Sequence, residues 1–261
     1  MAWALAILVG MPSLRDHSVV LRTHLLGEAD RIVTLLTREH GKIRAVAKGV
    51  RKTTSRIGSR LEPFMLVDVQ WATGRSLDII QQVETLGAYG SAIAEDYDTF
   101  TAAAAMADTA DKLTEHEATT DQFLLIVGAL RALAERHHPA GLIVDSYLLR
   151  ALSQAGWAPS VEVCAQTGTP GPHRHFVPAL GGMVDKSIAP PGSPTLSEDS
   201  VSLLGALLSG HWDVAEASSE EARREVSGVV AVYTQFHLEK GVKALGQMSR
   251  AREDRAEEAR R

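Results

Sequence analysis

Five short runs between His17 and Leu86 leave no room for a long helix, and this constrains the fold more than any other feature. His17–His24 sets Val19 and Leu21 against Val20 and Arg22. Gly27-Glu28-Ala29-Asp30 is turn chemistry, and the β-rich run Arg31–Thr37 (RIVTLLT) follows. Glu39-His40-Gly41 turns again into Lys42–Lys48. Pro63–Thr73 alternates Met65, Val67, Val69 and Trp71 against Leu66, Asp68 and Gln70. After Gly74-Arg75-Ser76, Leu77–Leu86 sets Leu77, Ile79 and Gln81 against Asp78, Ile80 and Gln82. Five strands in about 75 residues hide their edges best by closing into a small antiparallel barrel, here of the OB type.

The texture changes at Ala92. Tyr97–Glu117 is Ala-rich with helical spacing. Asp121–His138 carries the stripe Phe123, Ile126, Leu130 and Leu133. Gly141–Ala155 continues it after Pro139, with Gly156 as the closing glycine. Residues 157–194 are rich in Gly and Pro and read as a long irregular loop. Helical texture returns at Ser197–Ser209, with Ser197 and Ser200 as N-cap candidates, and in the amphipathic run Ser219–Leu245. The last residues, 249–261, lack an apolar stripe and read as a solvated helix or frayed tail. The expected fold class is therefore α+β. Residues 13–92 form a five-stranded OB-fold barrel, and residues 93–248 an all-helical domain that carries the loop 157–194.

Charge is unevenly divided. The chain has formal net charge −5, yet residues 1–92 are net +4 and residues 93–261 net −9. The basic half centres on Gly41–Arg60, which holds Lys42, Arg44, Lys48, Arg51, Lys52, Arg56 and Arg60 and no acid. Strand alternation sets Lys42, Arg44, Val46 and Lys48 opposite Ile43, Ala45 and Ala47, and the rest reads as an exposed Gly/Ser/Thr loop. Two readings fit: a bed for a phosphate backbone, or a strand edge kept soluble by its cations. Arg22, Arg31 and Arg38 are second-tier candidates, and Arg31 has Glu28 and Asp30 within reach as ion-pair partners. Phe64 and Trp71 are the barrel aromatics; they either stack a base or fill the core.

Several classes fall away. There is no GxxxxGK[ST], GxGxxG, HExxH or nucleophile elbow. A single cysteine, Cys164, rules out an internal disulfide framework and fits a reducing compartment. Met1–Leu14 has an apolar run but no cationic start, and is too short to span a bilayer. We read residues 1–12 as an extension, with Met11 as an alternative start. Cys164, His173, His175 and Asp185 are the metal donors available in the loop, where a metal hydrolase is the remaining enzymatic option. Their spacing does not match a zinc ribbon.

Val19–Phe64, with its ordered run GEADRIVTLLT…G…AVAKGVR…S, resembles the N-terminal region of the RecO family of bacterial DNA repair proteins. Ser146–Cys164 (SYLLRALSQAGWAPSVEVC), Pro170–Phe176 (PGPHRHF) and His237–Leu245 (HLEKGVKAL) extend the resemblance over about residues 13–245, with an actinobacterial character. It implies an OB barrel, a helical C-terminal domain, and binding and annealing of single- and double-stranded DNA. It also implies partnership with RecR in loading RecA onto strands coated by single-strand-binding protein (SSB), whose acidic, apolar-ended tail docks on the helical domain of some members. The place this implies is cytoplasmic and nucleoid-associated, with no membrane partner. Many relatives carry CxxC…CxxC in the loop. Here only Cys164 matches, while Thr167, Asp185 and Ile188 stand where the other cysteines fall, so we expect no cofactor.

The expectation is thus a binding protein rather than an enzyme. Lys42, Arg44, Lys48, Arg51, Lys52, Arg56 and Arg60 carry DNA, with Arg22 and Arg31 in support and the loop Arg51–Arg60 ahead of the strand. The alternative is an adaptor for RecR and SSB whose DNA contact is incidental.

Overall fold

A computed structural model describes residues 13–52, 55, 57–114 and 120–258, with side chains up to Glu239. Strands β1 (Ser13–Leu26), β2 (Asp30–Thr37), β3 (Lys42–Ala47), β4 (Leu66–Ala72) and β5 (Asp78–Gly87) close into a barrel in the order β1-β2-β3-β5-β4. The closure corrects one expectation. An odd number of strands cannot close with every neighbour antiparallel, so β3 and β5 pair in parallel, Ala45 with Asp78 and Val46 with Ile79. Simple alternation also fails at three places, one of them between Leu66 and Val67, where Leu86 is left unmatched. Leu21 is the extra residue between Val20 and Arg22, and the β4–β5 register slips between Gln70 and Trp71, leaving Gln81 unmatched.

The bore is filled by Val20, Val33, Leu35, Ala45, Ala47, Val67, Val69, Trp71, Ile80 and Val83. The β3–β4 connection plugs one end through Val50, Leu61 and Met65, with a 3-10 turn at Ser59–Leu61. Phe64 sits at φ 69, a left-handed conformation that costs a side-chain-bearing residue roughly 1 kcal/mol or more. Its N–H donates to the Val20 carbonyl at 2.8 Å, and its ring meets Phe100 edge-on at 5.6 Å.

Three helices follow the short helix α1 (Tyr89–Ile93): α2 (Tyr97–Leu113), α3 (Thr120–Ala134) and α4 (Ala140–Gln154). Asp96 caps α2 by accepting the Thr99 N–H. The buried face of α2 is Ala102, Ala103, Met106, Ala107 and Ala110, small enough to lie close to its neighbours. Helices α2 and α3 pack on β1. This is why Val19, Val20 and Leu21 are all buried, where a one-sided strand would bury every other residue.

The chain divides into two compact units, Met1–Tyr147 and Leu148–Arg261, and the division falls inside α4. The second unit holds α5 (Glu198–Ser209), α6 (Trp212–Ala217) and the long α7 (Glu220–Glu258). Ser197, not Ser200, is the N-cap of α5. Ala222, Val226, Val230 and Tyr233 form the buried stripe of α7. The Tyr233 hydroxyl donates to the Trp157 carbonyl at 3.1 Å, and Phe176 meets the Tyr233 ring edge-on. The all-helical expectation is corrected here. Within residues 157–194, β6 (His175–Val177) and β7 (Gly182–Val184) pair antiparallel, joined by a turn at Pro178–Leu180. Single bridges tie Ser160 to Gly182, Val163 to Pro170 and His175 to Thr195. The segment reads as loop because each strand has only three residues, too few to show a period.

Candidate nucleic-acid interface

The basic residues fall into three environments, a division invisible in the charge count. Two bind α2. Lys42 Nζ donates to the Asp111 carboxylate at 2.9 Å and to its backbone carbonyl at 2.6 Å. The Arg22 guanidinium lies 2.7 Å from Asp108 and 3.4 Å from Asp111. Both cations are on outward positions of the barrel, but that wall is the one α2 covers.

Two more cations hold the plug. Arg31 pairs with Glu62 at 2.6 Å, rather than with Glu28 or Asp30. The Asp30 carboxylate instead accepts the Gly49 N–H at 2.7 Å. Arg60 donates to the Val83 carbonyl at 2.6 Å and is half-buried.

The remainder face solvent. Arg44, Lys48 and Lys52 are exposed and have no ion-pair partner among the described residues. Arg51 is exposed, and its guanidinium donates once, to the Gly27 carbonyl at 3.1 Å, which leaves most of it free. Arg38 is exposed at the β2–β3 turn. Arg56 lies outside the described residues. The parallel pairing adds a residue that sequence reading passes over. It carries the turn before β5 alongside β3, so exposed Arg75 joins the end of the track nearest Arg44. The turn is tight: a Cβ on Gly74 would lie 2.0 Å from the Leu77 carbonyl oxygen. Nothing in the local sequence marks Arg75, because its neighbour is set by strand order. Four residues of β-chain, about 13 Å, separate Arg44 from Lys48. Half-buried Val46 and Ile79 lie between these cations.

The wall formed by the start of β1 with β4 and β5 has the opposite character. Arg15 makes a two-pronged contact with Asp68, which holds that carboxyl below its usual range, and lies 3.6 Å from Glu84. Ser13 bridges Gln70 and Gln81. Trp71, 1% exposed, and Phe64 belong to the core, so neither offers a ring to a base. Among the described residues of the barrel strands no Phe, Tyr or Trp ring is exposed.

The loop 157–194 has a different interior. Cys164 is 1% exposed and packs with Val177 and Val184, and Ile188 lies against the same cluster. Its Sγ accepts the Asp185 N–H at 3.4 Å. Hydrogen bonds from the Thr167 side chain and the Asp185 backbone lower the thiol to about 7. The four positions that answer to the relatives' cysteines thus converge, but only one carries a soft donor. His173 Nε2 faces the Thr169 carbonyl at 2.9 Å and His175 Nδ1 faces Thr195, so the two imidazoles do not share a centre. No three His, Cys, Asp or Glu side chains converge as metal ligands among the described residues. An apolar cluster around one thiol does not fit a zinc ion.

A closed five-stranded barrel with an exposed cationic track, followed by helices, defines an OB-like protein. Family comparison gives the particular kind. The model described as "Recombination protein O N terminal" matches residues 11–89, and "Recombination protein O C terminal" matches residues 94–246. The chain is 54% identical over 239 residues to a protein named DNA repair protein RecO from Thermobifida fusca, covering 91% of this chain and 98% of that one. A Nocardioides protein of the same name is 52% identical, with 90% and 99% covered. One from Cutibacterium acnes is 47% identical, with 92% and 100% covered. The chain belongs to the RecO family of DNA repair proteins.

Proposed function

We propose that this chain binds DNA along Arg44, Lys48, Arg51, Lys52 and Arg75, anneals complementary strands, and with RecR assists RecA loading on SSB-coated single strands. Exposed Arg38, at the β2–β3 turn, is a further candidate, and Arg56 is one from its charge alone. The observation that carries the reading is the pairing of uncompensated cations with barrel strands that expose no Phe, Tyr or Trp ring. Cations grip phosphates without reading sequence, and each contact releases counterions. With no such platform to hold the bases, they stay free to pair with a second strand. The work is positioning and charge screening, which needs no covalent step. The reading places the protein in the cytoplasm, with the nucleoid. No helix among the described residues is long and apolar enough to cross a membrane.

The test is strand annealing and single-strand binding across salt, with and without RecR and SSB. The triple substitution R44A/K48A/K52A is expected to flatten the plot of log affinity against log salt by about 0.7 for each phosphate that is no longer neutralised. An unchanged slope and unchanged annealing would overturn the reading.

The adaptor reading has its own support. A groove of about 440 Å³ between α2 and α4 is lined by Tyr97, Thr101, Ala102, Ala105, Gly141 and Val144. Arg136 and His138 line an adjoining hollow of about 300 Å³ together with Asp96 and Asp98. The apolar trough and the Arg136 guanidinium beside it suit the apolar end and one carboxylate of an acidic peptide, which is the chemistry of the SSB tail. Ala105→Glu is expected to abolish binding of that tail peptide while DNA affinity is kept. Tail binding that survives A105E removes the groove from the account.

A further inference from the structure

The β1–β2 turn carries an apolar tip. Leu25 is 67% exposed and Leu26 37%, at the end of a strand whose interior residues are buried. The tip is tied to the basic loop. Arg51 donates its N–H to the Ala29 carbonyl at 2.9 Å and its guanidinium to the Gly27 carbonyl, and the Gly49 N–H donates to Asp30. These bonds tie the turn that follows Leu25 and Leu26 to the start of the loop that carries Lys48, Arg51 and Lys52. Successive strand residues point to opposite faces, so the two leucines flank the hairpin, Leu25 opposite Arg31 and Leu26 opposite Asp30. Two bare leucines beside three exposed cations match a ligand that is anionic along one edge and apolar across its flat faces. A nucleic-acid strand has that chemistry.

We propose that Leu25 and Leu26 are the base-contacting tip of the interface, entering between neighbouring bases of a strand whose phosphates lie on Lys48, Arg51 and Lys52. The inference rests on the DNA-binding reading above. Apolar side chains that enter a base step part it without reading its hydrogen-bonding edges. The tip therefore supplies the base contact that the buried Trp71 and Phe64 do not, and confines it to one step.

The test uses the full chain and oligonucleotides carrying 2-aminopurine, whose fluorescence rises on unstacking. L25S/L26S is expected to bind single strands about three- to tenfold more weakly, with an unchanged salt slope and no fluorescence rise. Both residues are exposed, so its thermal midpoint should stay that of the parent chain. L25W, which enlarges the tip, is expected to bind more tightly and to quench the probe. Parent-like affinity and fluorescence in both variants would overturn the tip while leaving the cation track standing. A parent-like R44A/K48A/K52A would instead remove the DNA reading beneath it. A third arm uses phosphatidylglycerol vesicles. If L25S/L26S abolishes vesicle binding and keeps DNA binding, the tip is a membrane contact and the inference fails.

Discussion

Lys42 is bonded to Asp111 twice, to the carboxylate at 2.9 Å and to the carbonyl at 2.6 Å. A strand cation that reads as a phosphate ligand is therefore committed to α2. Lys42→Ala should lower stability by about 1–2 kcal/mol, because it removes a charge-assisted bond at a half-buried site. It should leave the salt slope of DNA binding unchanged. Denaturant series on K42A and R44A separate the two roles, because R44A should change the slope and hardly the stability.

Asp16 anchors the β2–β3 turn. Its carboxylate accepts the backbone N–H groups of His17 at 2.8 Å, Glu39 at 2.7 Å and His40 at 3.3 Å, and lies 3.1 Å from His40 Nδ1. Burial pushes its pKa up, but these hydrogen bonds outweigh it and hold the group below its ordinary value of 3.8. A carboxyl depressed in the folded state contributes stability above its unfolded value and loses it as pH falls through the folded one. Asp16→Asn should therefore destabilise the protein at pH 7, and the gap to the parent chain should narrow below about pH 4. Unfolding midpoints measured from pH 7 to pH 3 check this.

Loop 157–194 should hold without metal. Cys164, Val177 and Val184 form a buried apolar cluster with Ile188 packed against it, and we expect that packing to hold the loop. Chelators should leave the thermal midpoint in place, and elemental analysis of the purified chain should find no stoichiometric zinc. Because the four positions converge, T167C/D185C/I188C should bind cobalt with thiolate charge-transfer absorption. A midpoint that falls on chelation of the parent chain would contradict the apolar account.

Arg136 ends α3 in the left-handed region at φ 54, with its N–H donating to Leu133 O and the next N–H to Ala132 O. Glycine is the usual residue at such a C′ position. Arg136→Gly should stabilise the protein by up to about 1 kcal/mol, read as a higher thermal midpoint. At Gly182, φ 140, the reverse holds: a Cβ would lie 2.3 Å from the Ser160 carbonyl, so Gly182→Ala should loosen the β6–β7 hairpin.

Strand existence was legible because four barrel strands alternate over enough residues and the fifth, β2, is a run of β-branched and apolar residues. The stripe of α3 was legible because Phe123, Ile126, Leu130 and Leu133 repeat at helical spacing, and these four are buried. The strands β6 and β7 were not, at three residues each. The fate of the aromatics was half legible. Trp71 shares a face with Val67 and Val69, and all three fill the bore.

Residue order alone determines where the barrel strands and the main helices lie, that the first half carries the excess positive charge, and which family the chain resembles. These depend on period, composition and motif, and each is local. Which cations are free to meet a ligand was decided only by the tertiary structure. Lys42 and Arg22 meet Asp111 and Asp108 about seventy to ninety residues away, Arg60 meets Val83, and the parallel pair of Ala45 with Asp78 brings the start of β5 to β3. An ion pair needs its partners within about 4 Å, and no period in the sequence encodes a distance across a closed barrel.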